Sequence, residues 1–160
     1  MNCGVDAYIE KPFSIRYLEA CINNLLDIRF QLRNKFSKMP MAPVSSIASN
    51  SNDEILLNRM TKIIEDNMTN PDLSVDFIAK ELGISRSGMY TKIKGLANVT
   101  PNEMVQIIRL KKAAELILSN KYRINEICYM VGFNNTSYFA KCFQKQFGIK
   151  PNEYMEANKK

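Results

Sequence analysis

Two stretches of this chain repeat one another, so its fold must hold the same unit twice. SVDFIAKELGISRSGMYTKIKGLANVTPNEM runs from Ser74 to Met104, and RINEICYMVGFNNTSYFAKCFQKQFGIKPNEY runs from Arg123 to Tyr154. Gly83 and Gly132 lie 49 positions apart, whereas Met89 and Phe139, Ile93 and Phe143, and the Pro-Asn-Glu triplets at Pro101 and Pro151 lie 50 apart. One extra residue therefore sits in the second copy, just after its glycine. Each copy sets an apolar-patterned segment (Phe77, Ile78, Leu82; then Ile124, Ile127, Val131) before a glycine and a second amphipathic segment after it. That is the outline of a helix-turn-helix. Glycine suits the turn because the chain leaves the first helix through a left-handed conformation, which costs other residues about 1 kcal/mol or more. Ser85 is placed to cap the helix that follows the first turn.

Between the copies, Thr100 and Glu103 form a capping-box pair with Pro101 at the first helical position, which predicts a helix from 101 to 118. Eighteen residues span roughly 27 Å. Met104, Val105, Ile107, Ile108, Leu110, Ala113, Ala114, Ile117 and Leu118 fall on several faces of it, the pattern of a strut buried between two lobes. A further amphipathic helix, about Asp53 to Met68, would supply Ile55, Leu56, Met60, Ile63 and Ile64 to the first lobe. Upstream, MPMAPVSSIASNSN at 39–52 is uncharged and rich in Pro, Ser and Asn, and reads as a linker. The expected organisation is an N-terminal piece at 1–38, a linker at 39–52 and a domain at 53–157. Within the domain the first helix-turn-helix takes about 74–97, the joining helix about 101–118 and the second about 124–147. The fold class is all-α.

Composition narrows the chemistry. There is no histidine, and Cys3, Cys21, Cys128 and Cys142 are scattered without metal-ligand spacing, so no metal site is expected. Disulfides are one reading of an even cysteine count, but Cys128 and Cys142 stand among apolar helical neighbours, which favours free buried thiols in a reducing cytoplasm. The commonest general base is absent, as are phosphate-binding glycine loops and nucleophile elbows, so the chain reads as a non-enzyme without cofactor or small-molecule ligand. No stretch approaches the roughly 20 apolar residues that span a bilayer, and the piece is expected to be cytoplasmic. The net charge of +6 and pI of about 9.1 favour polyanionic partners without deciding for them.

The second helix of each copy carries the candidate chemistry. Met89, Ile93 and Leu96 make an inward stripe in copy one, which turns Ser87, Tyr90, Thr91 and Lys94 outward. In copy two, Phe139 and Phe143 face inward, leaving Ser137, Ala140, Lys141 and Gln144 outward, and no acidic residue occurs from Phe133 through Lys150. Hydroxyl, amide and basic side chains can read base edges in a major groove, and a small residue such as Ala140 permits close approach. Arg86, Lys92, Lys145 and the amides at helix starts would hold phosphates. The candidate DNA-binding set is Arg86, Ser87, Tyr90, Thr91, Lys94, Asn135, Thr136, Ser137, Ala140, Lys141 and Gln144. The plain alternative is that these are solvated faces, which every amphipathic helix has; the matched pair of copies weighs against it. Asn135 can contact DNA or cap its helix, and Tyr138 can contact DNA or pack at the rim of the core. Arg109, Lys111 and Lys112 on the strut read as solvated or backbone-directed rather than base-reading. Rival functions are a helical protein-interaction module and an RNA binder, the latter disfavoured by the lack of displayed stacking aromatics.

The two-lobed pattern resembles the AraC/XylS family of transcription regulators over roughly Asp53 to Tyr154. The matching strings are LSVDFIAKELGISRSGMYTKIKGL, IIRLKKAAELI and INEICYMVGFNNTSYFAKCFQKQFGIKPNEY. The resemblance implies sequence-specific binding of double-stranded DNA by two recognition helices in successive major-groove segments, with RNA polymerase as a candidate partner. Two departures are Gly88 inside the first recognition helix and Lys150 where a Ser or Thr cap is usual. GVDAYIEKPFSIRYLEACINNLL is similar to the last strand and helix of a response-regulator receiver domain, with Lys11-Pro12 matching the Lys-Pro after that strand. Together the two resemblances imply the output end of a hybrid two-component regulator, a truncated piece whose parent is an inner-membrane sensor. Leu18, Ile22, Leu25, Leu32 and Phe36 make a four-and-three seam, with Arg29 filling one position, which would pair with a second copy in the intact homodimer or else stay a frayed arm.

Overall fold

The computed structural model describes residues 11, 12 and 14–159, and among them every regular element is helical. The receiver-like strand expected before Lys11 lies outside the described residues. Eight α-helices follow in order: α1 (Ile15–Lys38), α2 (Ser51–Asp66), α3 (Val75–Leu82), α4 (Arg86–Ala97), α5 (Pro101–Leu118), α6 (Ile124–Met130), α7 (Thr136–Phe147) and α8 (Pro151–Ala157). A short 3-10 turn, Val44–Ile47, stands between α1 and α2.

Local chemistry accounts for most of the boundaries. Asn50 accepts from the Asp53 amide at 2.9 Å and so starts α2 two residues before the helix predicted from periodicity. Ser74 does the same for the Phe77 amide at 3.2 Å and starts α3. At α5 the box is complete: Glu103 takes the Thr100 amide at 2.7 Å, while the Thr100 hydroxyl accepts from the Glu103 amide at 3.3 Å. The Thr100 amide and, at 3.0 Å, the Thr100 hydroxyl donate to the Glu103 carboxylate and hold it below its ordinary pKa. The α6 and α8 starts lack a capping side chain at Arg123 and Lys150, and Glu126 and Glu153 reach back to the amides of those residues at 2.7 and 3.2 Å. Lys150 in place of a hydroxyl cap thus leaves half of the reciprocal arrangement intact.

The central helix is buried along most of its length: Met104, Ile107, Ile108, Leu110, Ala113, Ala114 and Ile117 are all closed to solvent. Helices α2, α4, α6, α7 and α8 all pack on it, so the two lobes share one continuous core. On α2 the inward residues are Leu57, Met60 and Ile64, spaced three and four; Ile55, expected in the core, is 56% exposed.

The segment 39–52, expected as a plain linker, is fastened to the domain. Val44 and Ile47 enter the core. Lys111, buried on α5, donates from Nζ to the carbonyls of Met39 at 2.7 Å and Ala42 at 2.9 Å, and its ammonium lies 4.7 Å from the Phe36 ring centroid. Burial lowers its pKa from 10.5 to about 8. Phe36, read from sequence as the end of the pairing seam, is 2% exposed and belongs to this core. The reason is that an aromatic ring at the end of α1 can close over a buried cation only once α5 has brought the lysine there.

Candidate nucleic-acid interface

Helices α4 and α7 begin the same way. The preceding turn passes through a left-handed glycine, Gly83 at φ 72° and Gly132 at φ 81°, and a side-chain oxygen then caps the new helix. Ser85 Oγ accepts from the Gly88 amide at 3.0 Å, and Asn135 Oδ1 accepts from the Tyr138 amide at 2.8 Å. Gly132 is fixed for a second reason: a Cβ there would stand 2.1 Å from the carbonyl oxygen of Met68. Asn135 therefore caps its helix, and its side-chain oxygen has that task before any other.

On α4 the stripe Met89, Ile93 and Ala97 is buried and Leu96 half-buried. Ser87, Thr91 and Lys94 are exposed, and Tyr90 is half-buried against the core. Thr91 Oγ1 donates to the Ser87 carbonyl at 3.1 Å, and the Ser87 and Ser85 hydroxyls lie 3.2 Å apart. Arg86 pairs with Asp76 at 2.6 Å, both side chains being more than half exposed, and its guanidinium sits 5.9 Å from the Tyr90 ring centroid. An exposed pair of this kind contributes at most about 1 kcal/mol, so it does not hold Arg86 back from a phosphate. Lys92, expected to hold phosphate, points elsewhere. Its ammonium meets the buried carboxylate of Asp53 at 3.0 Å, across 39 positions of sequence.

On α7, Phe139 and Phe143 are fully buried, while Ser137, Lys141 and Gln144 are exposed and Thr136 and Ala140 half-buried. Tyr138 is 58% exposed, with its ring 6.1 Å from that of Phe133. Its hydroxyl is held by Cys142, which raises its pKa. Gln106 on α5 donates to the Cys142 sulfur at 3.0 Å, tying the flank of α7 to the central helix. The outer faces of α4 and α7 thus carry hydroxyl, amide and ammonium groups and no carboxylate.

Sequence reasoning missed Asp53, Gln106 and the contact of Gly132 with Met68, because each depends on a partner far along the chain. The strut cations resolve individually. Arg109 and Lys111 are directed to backbone carbonyls, and Lys112 pairs with Glu115 at 2.9 Å and Glu65 at 3.5 Å. Cys21, Cys128 and Cys142 are free, Cys128 buried with its pKa raised by desolvation. No described helix is long and apolar enough to cross a membrane.

Residues 78–157 match the family model described as a helix-turn-helix domain. Over 154 residues the chain is 45% identical to the histidine kinase P4 of Formosa agariphila, which covers 96% of this chain but only 11% of that protein. An AraC-type DNA-binding transcriptional regulator from Chromobacterium violaceum superimposes with a TM-score of 0.61 at 26% identity, covering 68% of this chain and 96% of that one. The C-terminal domain of the response regulator AraT from Geobacillus stearothermophilus gives 0.54 at 30% identity, covering 64% and 84%.

Proposed function

The chain belongs to the AraC-type helix-turn-helix family of DNA-binding transcription regulators, and from that premise we propose that α4 and α7 enter two successive major-groove segments of one duplex. The observation that carries this reading is the pair of recognition helices, each started by a left-handed glycine turn and a side-chain cap, each acid-free on its outer face. Ser87, Thr91 and Lys94 read from the first helix and Ser137, Lys141 and Gln144 from the second. Tyr90, Thr136 and Ala140 line the close approach, while Arg86, Lys145 and the amides capped by Ser85 and Asn135 clamp phosphate. Asn135 contributes through its helix start. A connecting helix of roughly 27 Å is shorter than one DNA turn of about 34 Å, so the duplex bends toward the protein.

In the whole protein we place this piece at the output end of a two-component regulator, with residues 1–38 as the receiver end, 53–157 as the DNA-binding domain and 39–52 as a connection that packs onto that domain through Val44 and Ile47. The likeness to a histidine kinase over nearly the full chain supports that assignment. The intact protein acts as a homodimer, drawing on the α1 face where Leu18 and Leu25 are half-buried and Ile22 is 47% exposed, and it addresses RNA polymerase from the DNA.

The test is selection of binding sites from random duplexes, followed by titration of the winner and a scrambled duplex at two salt concentrations. Two short enriched blocks, both lost in a Lys141→Ala and Thr91→Ala double variant, are expected. Weak binding that salt removes equally from both duplexes would overturn the specific reading and favour a protein partner.

A further inference from the structure

Arg109 stands midway along α5. Its Nη2 donates to the carbonyl of Met68, just past α2 in the first lobe, at 3.2 Å. Its Nη1 donates to the carbonyl of Gly132, in the turn before α7, at 3.3 Å. The same Met68 carbonyl lies where a Cβ on Gly132 would have to go, and the Arg109 Cζ would be 3.0 Å from that Cβ. One guanidinium therefore bridges two backbone segments that nearly touch, and only glycine permits the approach.

The bridge is well placed to control geometry. Gly132 is three residues before Asn135, which starts α7, and its carbonyl is part of the turn that aims that helix. Met68 follows α2, which packs on α3 and so belongs to the body that carries α4. Arg109 Nε is buried with no partner, and desolvation lowers the guanidinium pKa. Burying a charge with one donor left over is costly, and a merely apolar filler would avoid that cost. A planar fork with two separated donors can do what a filler cannot, which is to hold two carbonyls at a fixed angle.

We propose that Arg109 is a positioning residue that sets the angle and spacing between the two recognition helices, and through them the distance between base blocks that the protein accepts. For the DNA part, this rests on the two-groove reading given above. Arg109 touches no base in this scheme; it acts through the Gly132 turn.

The experiment compares wild type, Arg109→Met and Arg109→Lys as the full 160-residue chain, with two readouts. The first needs no DNA: amide residual dipolar couplings from α4 and α7 are fitted to one alignment tensor or to two. Wild type is expected to fit one tensor with the α4–α7 orientation of this structure, and Arg109→Met to depart from it, as a changed interhelix angle or a second tensor, with each lobe still folded by its own couplings. The second titrates duplexes carrying the selected blocks at the native spacing and with one base pair added or removed. Wild type is expected to prefer the native spacing at least about tenfold, and Arg109→Met to distinguish the three by less than about threefold. Arg109→Lys, which can reach one carbonyl but not both, should fall between.

A folded Arg109→Met with a single tensor and wild-type lobe orientation would overturn the proposal, as would equal loss of affinity at all three spacings. If Arg109→Met does not fold, Arg109→Lys carries the test, and an unchanged spacing preference in it overturns the proposal. Absence of any selected site in wild type counts against the DNA reading alone, because the coupling measurement still decides the role of Arg109.

Discussion

The two helix-turn-helix lobes share a backbone plan and differ in what fills them. Behind α4 the first lobe places Met60, Met89, Ile64, Ile78 and Ile93, together with α2 as an additional helix. Behind α7 the second lobe stacks aromatic rings: Phe133 with Phe139 at 5.3 Å edge-on, Phe139 with Phe143 at 5.9 Å, and Phe143 with Phe147 at 4.8 Å edge-on and Tyr154 at 5.7 Å. Flexible thioethers adapt to their neighbours, whereas tilted rings fit in few ways. Helix α4 also carries two interior glycines, Gly88 and Gly95, while α7 has none. On that packing the first lobe is expected to be the more adaptable of the two and the second the more rigid.

The comparison breaks most readily at the aromatic stack. Phe143→Ala should cost about 3–5 kcal/mol in urea unfolding, since its ring touches three others and the cavity left behind cannot collapse around them. Met89→Leu in the first lobe should cost less than about 1.5 kcal/mol. If Met89→Leu proves as damaging as Phe143→Ala, the first lobe is no more adaptable than the second.

Next in size are the proposed base-reading faces taken one at a time. Lys141→Ala should reduce affinity for the selected site by about 1–3 kcal/mol, with the loss concentrated on one base block, whereas Thr91→Ala, whose hydroxyl also bonds back to Ser87, should cost about 1 kcal/mol on the other block. Titration against single-block variants measures both. A uniform loss across sequences would make Lys141 a phosphate contact.

The caps should behave alike in the two lobes. Ser85→Ala and Asn135→Ala each remove the acceptor for one helix-start amide and should each cost about 1 kcal/mol by thermal unfolding. The smallest effect is expected at Gly88→Ala. Helix propensity favours alanine by about 1 kcal/mol, but the new Cβ would meet the Ser85 hydroxyl at 3.0 Å, so the net change should stay within about 0.5 kcal/mol. A full gain would show that the capping serine gives way to the new methyl group.

Much of the fold is legible in the sequence for a clear reason. Helix starts, glycine turns and apolar stripes are set by residues within about four positions of one another. Local spacing therefore suffices to show the repeat, the joining helix from Pro101 to Leu118 and the outer faces of α4 and α7. It misleads where a local pattern has two solutions. Ile55 and Leu57 both border the stripe of α2, and only the neighbouring helices choose Leu57. Phe36 fits a pairing seam by spacing, yet it is buried beside Lys111.

By itself, then, the sequence determined the helices, their order, the doubled unit and the polar chemistry of the outer faces of α4 and α7. Tertiary structure alone decided what each cation does: Lys92 meets Asp53 across 39 positions, Arg109 meets Met68 across 41, and Lys111 meets Met39 across 72. A lysine on an amphipathic helix looks the same in sequence whether it faces solvent, a carboxylate or a carbonyl. The difference in energy comes from desolvation and from partners that only the closed core brings within hydrogen-bond reach.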